Sequence, residues 1–248
     1  MSPGRRPPRG PRHRIAGIVF SAAVLGLGLA GAGPGRAQQI GLLGGWNSAS
    51  LGDGLDGAMA ITCDLLRNEL GGTWTYGSSR RAGLFMGAFT EFRISPAVAF
   101  RPEIAFAQRG TGYRLDGSGS FGQVGSKVRF KMDYVETALL FAFRVAPPKS
   151  GGFAPAVFAG PMGGVKTSAR LSMDVLGQSS STKLGGMNAS FFGAVGGVEL
   201  ARVGPHGGSV FVQGRYTLGI TNLVDDSSVE SKPRDIAILL GATFRMPD

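Results

Sequence analysis

Along Arg234 to Met246 apolar residues recur at every second position. Ile236, Ile238, Leu240, Ala242 and Phe244 make one apolar face, and Asp235, Ala237, Leu239, Gly241 and Thr243 make a smaller, partly polar one. Period two marks a β-strand, and a segment of this length can cross a bilayer. Other segments repeat the pattern. In Phe130 to Arg144, Asp133, Val135, Thr137, Leu139, Phe141 and Phe143 oppose Tyr134, Glu136, Ala138, Leu140, Ala142 and Arg144. In Phe100 to Gln108, Phe100, Pro102, Ile104 and Phe106 oppose Arg101, Glu103, Ala105 and Ala107. In Val210 to Ile220, Val212, Gly214, Tyr216, Leu218 and Ile220 oppose Gln213, Arg215, Thr217 and Gly219. The first face of each pattern suits lipid; the second mixes small residues with isolated charges.

Eight segments carry strand character, near 39–51, 79–92, 97–109, 127–144, 153–171, 189–203, 209–220 and 234–246. Helical periodicity is weak, and Asp64 to Leu70 is expected to form one short helical turn inside a loop. Long connections near 52–78, 110–126 and 172–187, and an intermediate one near 221–233, alternate with short ones at 93–96, 146–152 and 204–208. A membrane barrel explains the alternation, with short turns in the periplasm and longer loops outside. The expected fold is all-β: an eight-stranded antiparallel transmembrane β-barrel in an up-and-down meander. A soluble sandwich is the alternative. Trp46, Trp74, Tyr76, Phe92, Phe100, Tyr134, Tyr216 and Phe244 fall near strand ends, where interface girdles form.

Charges on the inner face are costly in lipid and in a dry core. Inside a narrow barrel Arg101, Arg144 and Arg215 can meet Glu103 and Glu136, with Glu91 joining from the second strand. Arg101, Glu103, Glu136, Arg144 and Arg215 are read as a structural lumen cluster, the other reading being an ion path or ligand site. A barrel of this size holds side chains or one small ligand, so the lumen is expected to be plugged. Pro102 lacks an N–H and is awkward for the ladder.

The N-terminus changes the charge argument. Arg5, Arg6, Arg9, Arg12 and Arg14 precede an apolar run from Ile15 to Ala30, and Gly35-Arg36-Ala37 offers small residues for cleavage. This reads as a secretory signal peptide over 1–37, followed by a barrel domain over 38–248. The chain has 26 basic and 16 acidic residues, a net +10. Six of the basic residues and none of the acids lie in 1–37, so the mature part is only +4. The basic balance therefore does not argue for a nucleic-acid partner. Cys63 is the only cysteine, which excludes an intrachain disulfide. Beyond the leader no apolar stretch reaches the length of a membrane-spanning helix.

Catalytic signals are weak. His206, the one histidine after the leader, sits in a short turn expected on the periplasmic side, away from any outer-leaflet substrate. Asp64, Asp225 and Asp226 are isolated loop acids without calcium or zinc spacing. Gly41 to Gly45 and Gly193 to Gly197 lack the Gly-Lys-Ser/Thr ending of a phosphate loop. No catalytic residue, metal or cofactor is expected.

Several motifs, in order, resemble the PorT-like outer-membrane β-barrel family. They are E-I-A-F-A-Q-R-G at Glu103 to Gly110, D-Y-V-E-T-A-L-L at Asp133 to Leu140, the Ala-Gly-Pro corner at Ala159 to Pro161, R-Y-T-L-G-I-T-N at Arg215 to Asn222, and the closing strand Leu240 to Phe244. Ala138 stands where the family usually has proline, and a tail follows Phe244. The resemblance implies a barrel fold and an outer-membrane location, not a chemistry. The expected function is an integral outer-membrane barrel with a structural or surface-binding role and no enzyme activity. A narrow pore or small-solute transporter, or a component of an envelope export system, is the alternative. Expected partners are outer-membrane lipid, the barrel assembly machinery during biogenesis, and an envelope partner of unknown kind.

Overall fold

The computed structural model describes residues 38–50, 53–119, 122–145, 151–184, 188–223 and 231–246. The leader 1–37 and the acids Asp225 and Asp226 lie outside them. The elements run β1 (Gln38–Ser50), α1 (Asp53–Leu70), β2 (Thr73–Arg93), β3 (Val98–Gly119), β4 (Gly122–Arg144), β5 (Phe153–Val175), β6 (Gln178–Lys183), β7 (Ser190–Val203), β8 (Ser209–Gly219) and β9 (Arg234–Arg245).

The expectation of eight strands in an up-and-down meander is overturned. The sheet has nine strands, in the order β4-β3-β2-β1-β9-β8-β7-β5-β6, and β4 also pairs with β5. β5 thus has three partners. β7 follows β6 in the chain but pairs with β5, so the sheet does not close evenly. β6 lies within the segment 172–187 that reads as a loop. Its cause is local: Leu176 (φ 52°) and Gly177 (φ 81°) both adopt positive φ, and a two-residue turn of that kind matches strand twist. The sequence Q-S-S-S-T-K is exposed on both faces, so it carries no period-two signal.

The side-chain alternation follows the period-two reading. Asp235, Ala237, Leu239 and Thr243 are buried, while Ile236, Ile238, Leu240 and Phe244 are exposed. Through β1–β9 and β4–β5 pairing, the buried faces look into one interior. Pro102 leaves its mark there. The β2–β3 register stops at Phe89–Glu103 and resumes at Phe92–Phe100, as expected where a ladder donor is missing. Ala159-Gly160-Pro161 is not a corner; it lies inside β5.

Strand lengths divide the molecule. β8 and β9 have 11 and 12 residues, close to the roughly 9–11 a tilted strand needs to cross a bilayer. β3, β4 and β5 have 22, 23 and 23. Their far halves, with the start of β2 and with β6, form a one-sided crown. Both expected loops at 52–78 and 110–126 are mostly regular structure: α1 and the first part of β2 in one, the β3–β4 hairpin in the other.

α1 replaces the single helical turn expected at Asp64 to Leu70. Met59, Cys63 and Leu66 form its apolar stripe, at spacings of four and three. The helix stops at Gly71 (φ 69°), whose N–H reaches Arg67 O at 3.0 Å, a left-handed C-terminal stop. Gly54 and Gly57 dilute the periodicity, which is why the segment reads as a loop. The stripe packs on Trp74, Tyr113, Leu115 and Val128, forming a small core under the helix. Trp74 and Tyr134 are therefore buried rather than placed in an interface girdle; Tyr134 meets Phe191 edge-on at 5.1 Å inside the ring of strands.

Candidate functional site

Four arginines and five carboxylates point into the interior, all buried except Arg144, which is partly exposed. They form three tiers along the strands. At the end with the short turns, Glu91 of β2 bonds both Arg101 of β3 and Arg144 of β4. Arg101 also reaches across to Glu199 of β7 at 2.6 Å. In the middle tier Arg215 of β8 makes a two-pronged contact with Glu103 of β3, at 2.7 and 3.0 Å. Gln213 couples these tiers, accepting from Arg215 at 2.6 Å and donating to Glu199 at 3.2 Å. In the crown-side tier Arg109 of β3 grips Glu136 of β4 at 2.6 and 2.9 Å and pairs with Asp235 of β9 at 3.0 Å. Asn47 of β1 donates to the same Asp235 oxygen at 3.1 Å.

Aromatic rings separate the tiers. Arg101 stacks over Phe89 at 4.4 Å, Arg215 over Phe85 at 5.0 Å, and Arg109 over Phe191 at 5.5 Å. A guanidinium is planar and weakly hydrated, so it satisfies carboxylates at its edge and a ring at its face. Glycines make room for the rings: a Cβ at Gly41 would overlap Phe89, and one at Gly164 would overlap Phe191. Two cavities between these side chains measure about 30 Å³ beside Glu91, Arg101 and Arg144, and about 10 Å³ beside Glu103, Glu136 and Arg215. That is room for a water or two. The arrangement ties strands across the interior and leaves little space for a solute.

Of the five residues expected in the lumen, Arg101, Glu103, Glu136 and Arg215 are buried in the interior and Arg144 reaches in from its end to Glu91, but they do not form one cluster. Of the expected pairings between Arg101, Arg144 or Arg215 and Glu103 or Glu136, the ion pair formed is Arg215–Glu103. Arg101 and Arg144 use Glu91 instead, and Glu136 uses Arg109. Arg109, Glu199 and Asn47 are not singled out by the sequence pattern, and Gln213 and Asp235 stand on inward faces without a sequence-visible partner. Arg109 looked like a strand end, but it continues the inward run Arg101, Glu103, Ala105, Ala107 by one step. Asp235 was on the correct face and simply had no visible partner.

Outside the span, the small crown core shapes two titratable groups. Burial, and next the Asp56 carboxylate of α1, push the Tyr113 phenol above its ordinary range. Burial likewise raises the Cys63 thiol. His206 is exposed in its turn and Asp64 pairs with Arg67 on the helix surface. Among the described residues no group of three or more His, Cys, Asp or Glu could hold a metal ion.

The family profile described as outer membrane protein beta-barrel domain matches residues 37–225. No curated protein matches the chain at a significant level. Among solved structures the chain is similar to Neisserial surface protein A, with TM-score 0.42 and 14% identity over 86% of this chain and 99% of that one. It is also similar to Ail of Yersinia pestis (TM-score 0.34, 11% identity, 84% and 99% covered) and to OprG of Pseudomonas aeruginosa (0.37, 11%, 85% and 98%). At this distance the likenesses carry no inference about function.

Proposed function

Because the chain belongs to the outer membrane protein beta-barrel domain family, we propose that it serves as a rigid surface element of the bacterial outer membrane, in which a filled interior supports an exposed crown. One observation carries this reading: the interior is crossed by Arg–carboxylate contacts from β3 to β7, β8 and β9 that leave cavities of about 30 and 10 Å³. A channel needs a continuous wet path, whereas here each tier is closed by paired charges and an aromatic ring. The lumen charges act structurally, holding the strands in register from inside.

Both ends of the described chain lie at the side of the short turns, since Gln39 pairs with Arg245 of β9 and with Glu91 of β2. With those turns in the periplasm, the crown projects from the cell surface. Residues 1–37 act as the export leader that delivers the chain there. The narrower relation to PorT-like barrels draws its support from the sequence motifs alone, and no export role is carried over with it.

Planar-bilayer recording of the purified protein tests the reading. A filled lumen gives no discrete conductance steps; regular, voltage-independent steps at protein doses that insert efficiently would reject it in favour of a pore.

A further inference from the structure

The outward face of the crown is basic, and its rows can be read directly from the strand register. The uppermost apolar row joins Met86, Phe106, Val135 and Val165. One row higher stand Leu84, Gln108, Asp133 and Ser168. The next joins Gly110, Lys131, Arg170 and Lys183, with the Arg81 side chain lying against Gly110. Above it Ser79, Gly112, Arg129 and Ser172 align, and above that Gly77, Arg114, Lys127 and Asp174. Rows on one face repeat about every 7 Å along a strand, and the headgroup zone extends roughly 5–8 Å past the hydrocarbon. The Lys131 row therefore lies at headgroup level, and the Arg129 side chain, one row above, is long enough to reach down to it.

Within this face is a groove of about 560 Å³, lined by Gly77, Ser79, Gly112 and the cations Arg80, Arg81, Arg114, Lys127 and Arg129, with no acid in its lining. Glycine and serine floor it, because any larger side chain at Gly112 would meet Ser79 Oγ at 2.7 Å. Long basic side chains wall it. Acids on the same face are fewer: Asp116 bonds Arg114 at 3.0 Å, Asp133 lies one row below Lys131, and Asp174 opposes Lys127. An anion seated between Arg81, Arg129 and Lys127 thus meets net positive charge on three sides.

We propose that this groove holds the phosphorylated headgroup of an acyl lipid in the outer leaflet, with the acyl chains running down over Leu84, Met86, Phe106 and Val135. The position selects this occupant over a soluble anion: Arg81, in the groove's lower wall, stands one row above Leu84, so a molecule that carries both a phosphate and acyl chains can reach the lower cations and the exposed apolar surface below. The inference rests on the crown lying outside the cell.

Native mass spectrometry of the full chain in neutral detergent, titrated with a bisphosphorylated acyl glucosamine lipid, tests it. The expected result is discrete lipid adducts that fall at least about tenfold in affinity in the triple variant K127S/R129S/R114S, since a cation at an anionic lipid surface contributes about fivefold. These side chains are exposed, and heat-dependent gel mobility verifies that the variant is folded. Should it fail to fold, the parent protein still decides the matter: adducts must weaken with salt and vanish with the dephosphorylated lipid. Equal adducts with and without phosphate, or an unchanged triple variant, overturns the proposal. So does tighter binding of a soluble polysulfated glycan than of the lipid. Surface labelling of a Ser180→Cys variant in intact cells, on a Cys63→Ser background, separates the two readings. No labelling refutes the orientation, while lipid binding in detergent is unaffected by it.

Discussion

Arg215 and Glu103 are 112 positions apart in the chain and meet across the interior through two nearly parallel bonds of 2.7 and 3.0 Å. Neither strand neighbours the other in the sheet, so the pair links β8 to β3 through the lumen rather than along the ladder. Both side chains are almost wholly buried.

Breaking that pair on one side leaves a buried charge without its counter-charge, Arg215 keeping only the neutral Gln213 and Glu103 no ion pair. Glu103→Gln and Arg215→Met should each destabilise the fold by about 3–5 kcal/mol, less where water reaches the gap. The double variant Glu103→Leu with Arg215→Met should recover much of the loss, because two apolar groups remove the unpaired charge. The temperature at which the compact gel band converts to the unfolded one measures both. Single variants that convert with the parent would show that the pair does not hold the strands together.

The crown-side tier makes a graded prediction. Glu136 takes two bonds from Arg109, whereas Asp235 takes one ion pair and one bond from Asn47. Glu136→Gln should therefore cost about 3 kcal/mol and Asp235→Asn about 1–2 kcal/mol. The same conversion assay ranks them, and the reverse order contradicts the tier as described.

Cys63 reports on helix docking. Its side chain is buried against Trp74 and its thiol is raised by burial, so the neutral form prevails at pH 7 and thiolate appears only at higher pH. Maleimide labelling of the folded protein should be slow at pH 7 and accelerate as pH rises. Trp74→Ala removes the ring under the helix and should speed labelling at pH 7 by about tenfold or more. A rate equal to that of free cysteine in the parent protein would mean that α1 is not docked.

Processing of the leader is checked by N-terminal sequencing of protein extracted from membranes. Cleavage after Ala37 should leave Gln38 first, at the start of β1. A mature protein that retains Ile15 to Ala30 would refute the assignment.

Much of the fold was legible in the chain because a β-strand in a membrane is a local object. Its two faces meet different solvents at every second residue, so Ile236, Ile238 and Leu240 declare lipid and Asp235, Ala237 and Leu239 declare an interior without reference to any other strand. The inward placement of Arg101, Glu103, Glu136, Arg144 and Arg215 follows from the same alternation.

What only the tertiary structure decided is everything that depends on register and on elements exposed on both faces. Glu136 chooses Arg109 over Arg215, and Arg101 finds Glu199, because the stagger of strands distant in sequence sets which side chains share a tier. β6 is wetted on both sides and carries no two-solvent pattern, so it reads as a loop until its pairing is seen. The far half of β3 does alternate, Tyr113 and Leu115 buried and Arg114 and Asp116 exposed, but its buried side faces α1, and that partner is visible only in the fold. α1 itself depends on Trp74, Tyr113, Leu115 and Val128 coming together beneath Cys63, a surface that exists only once the hairpins have risen beyond the membrane.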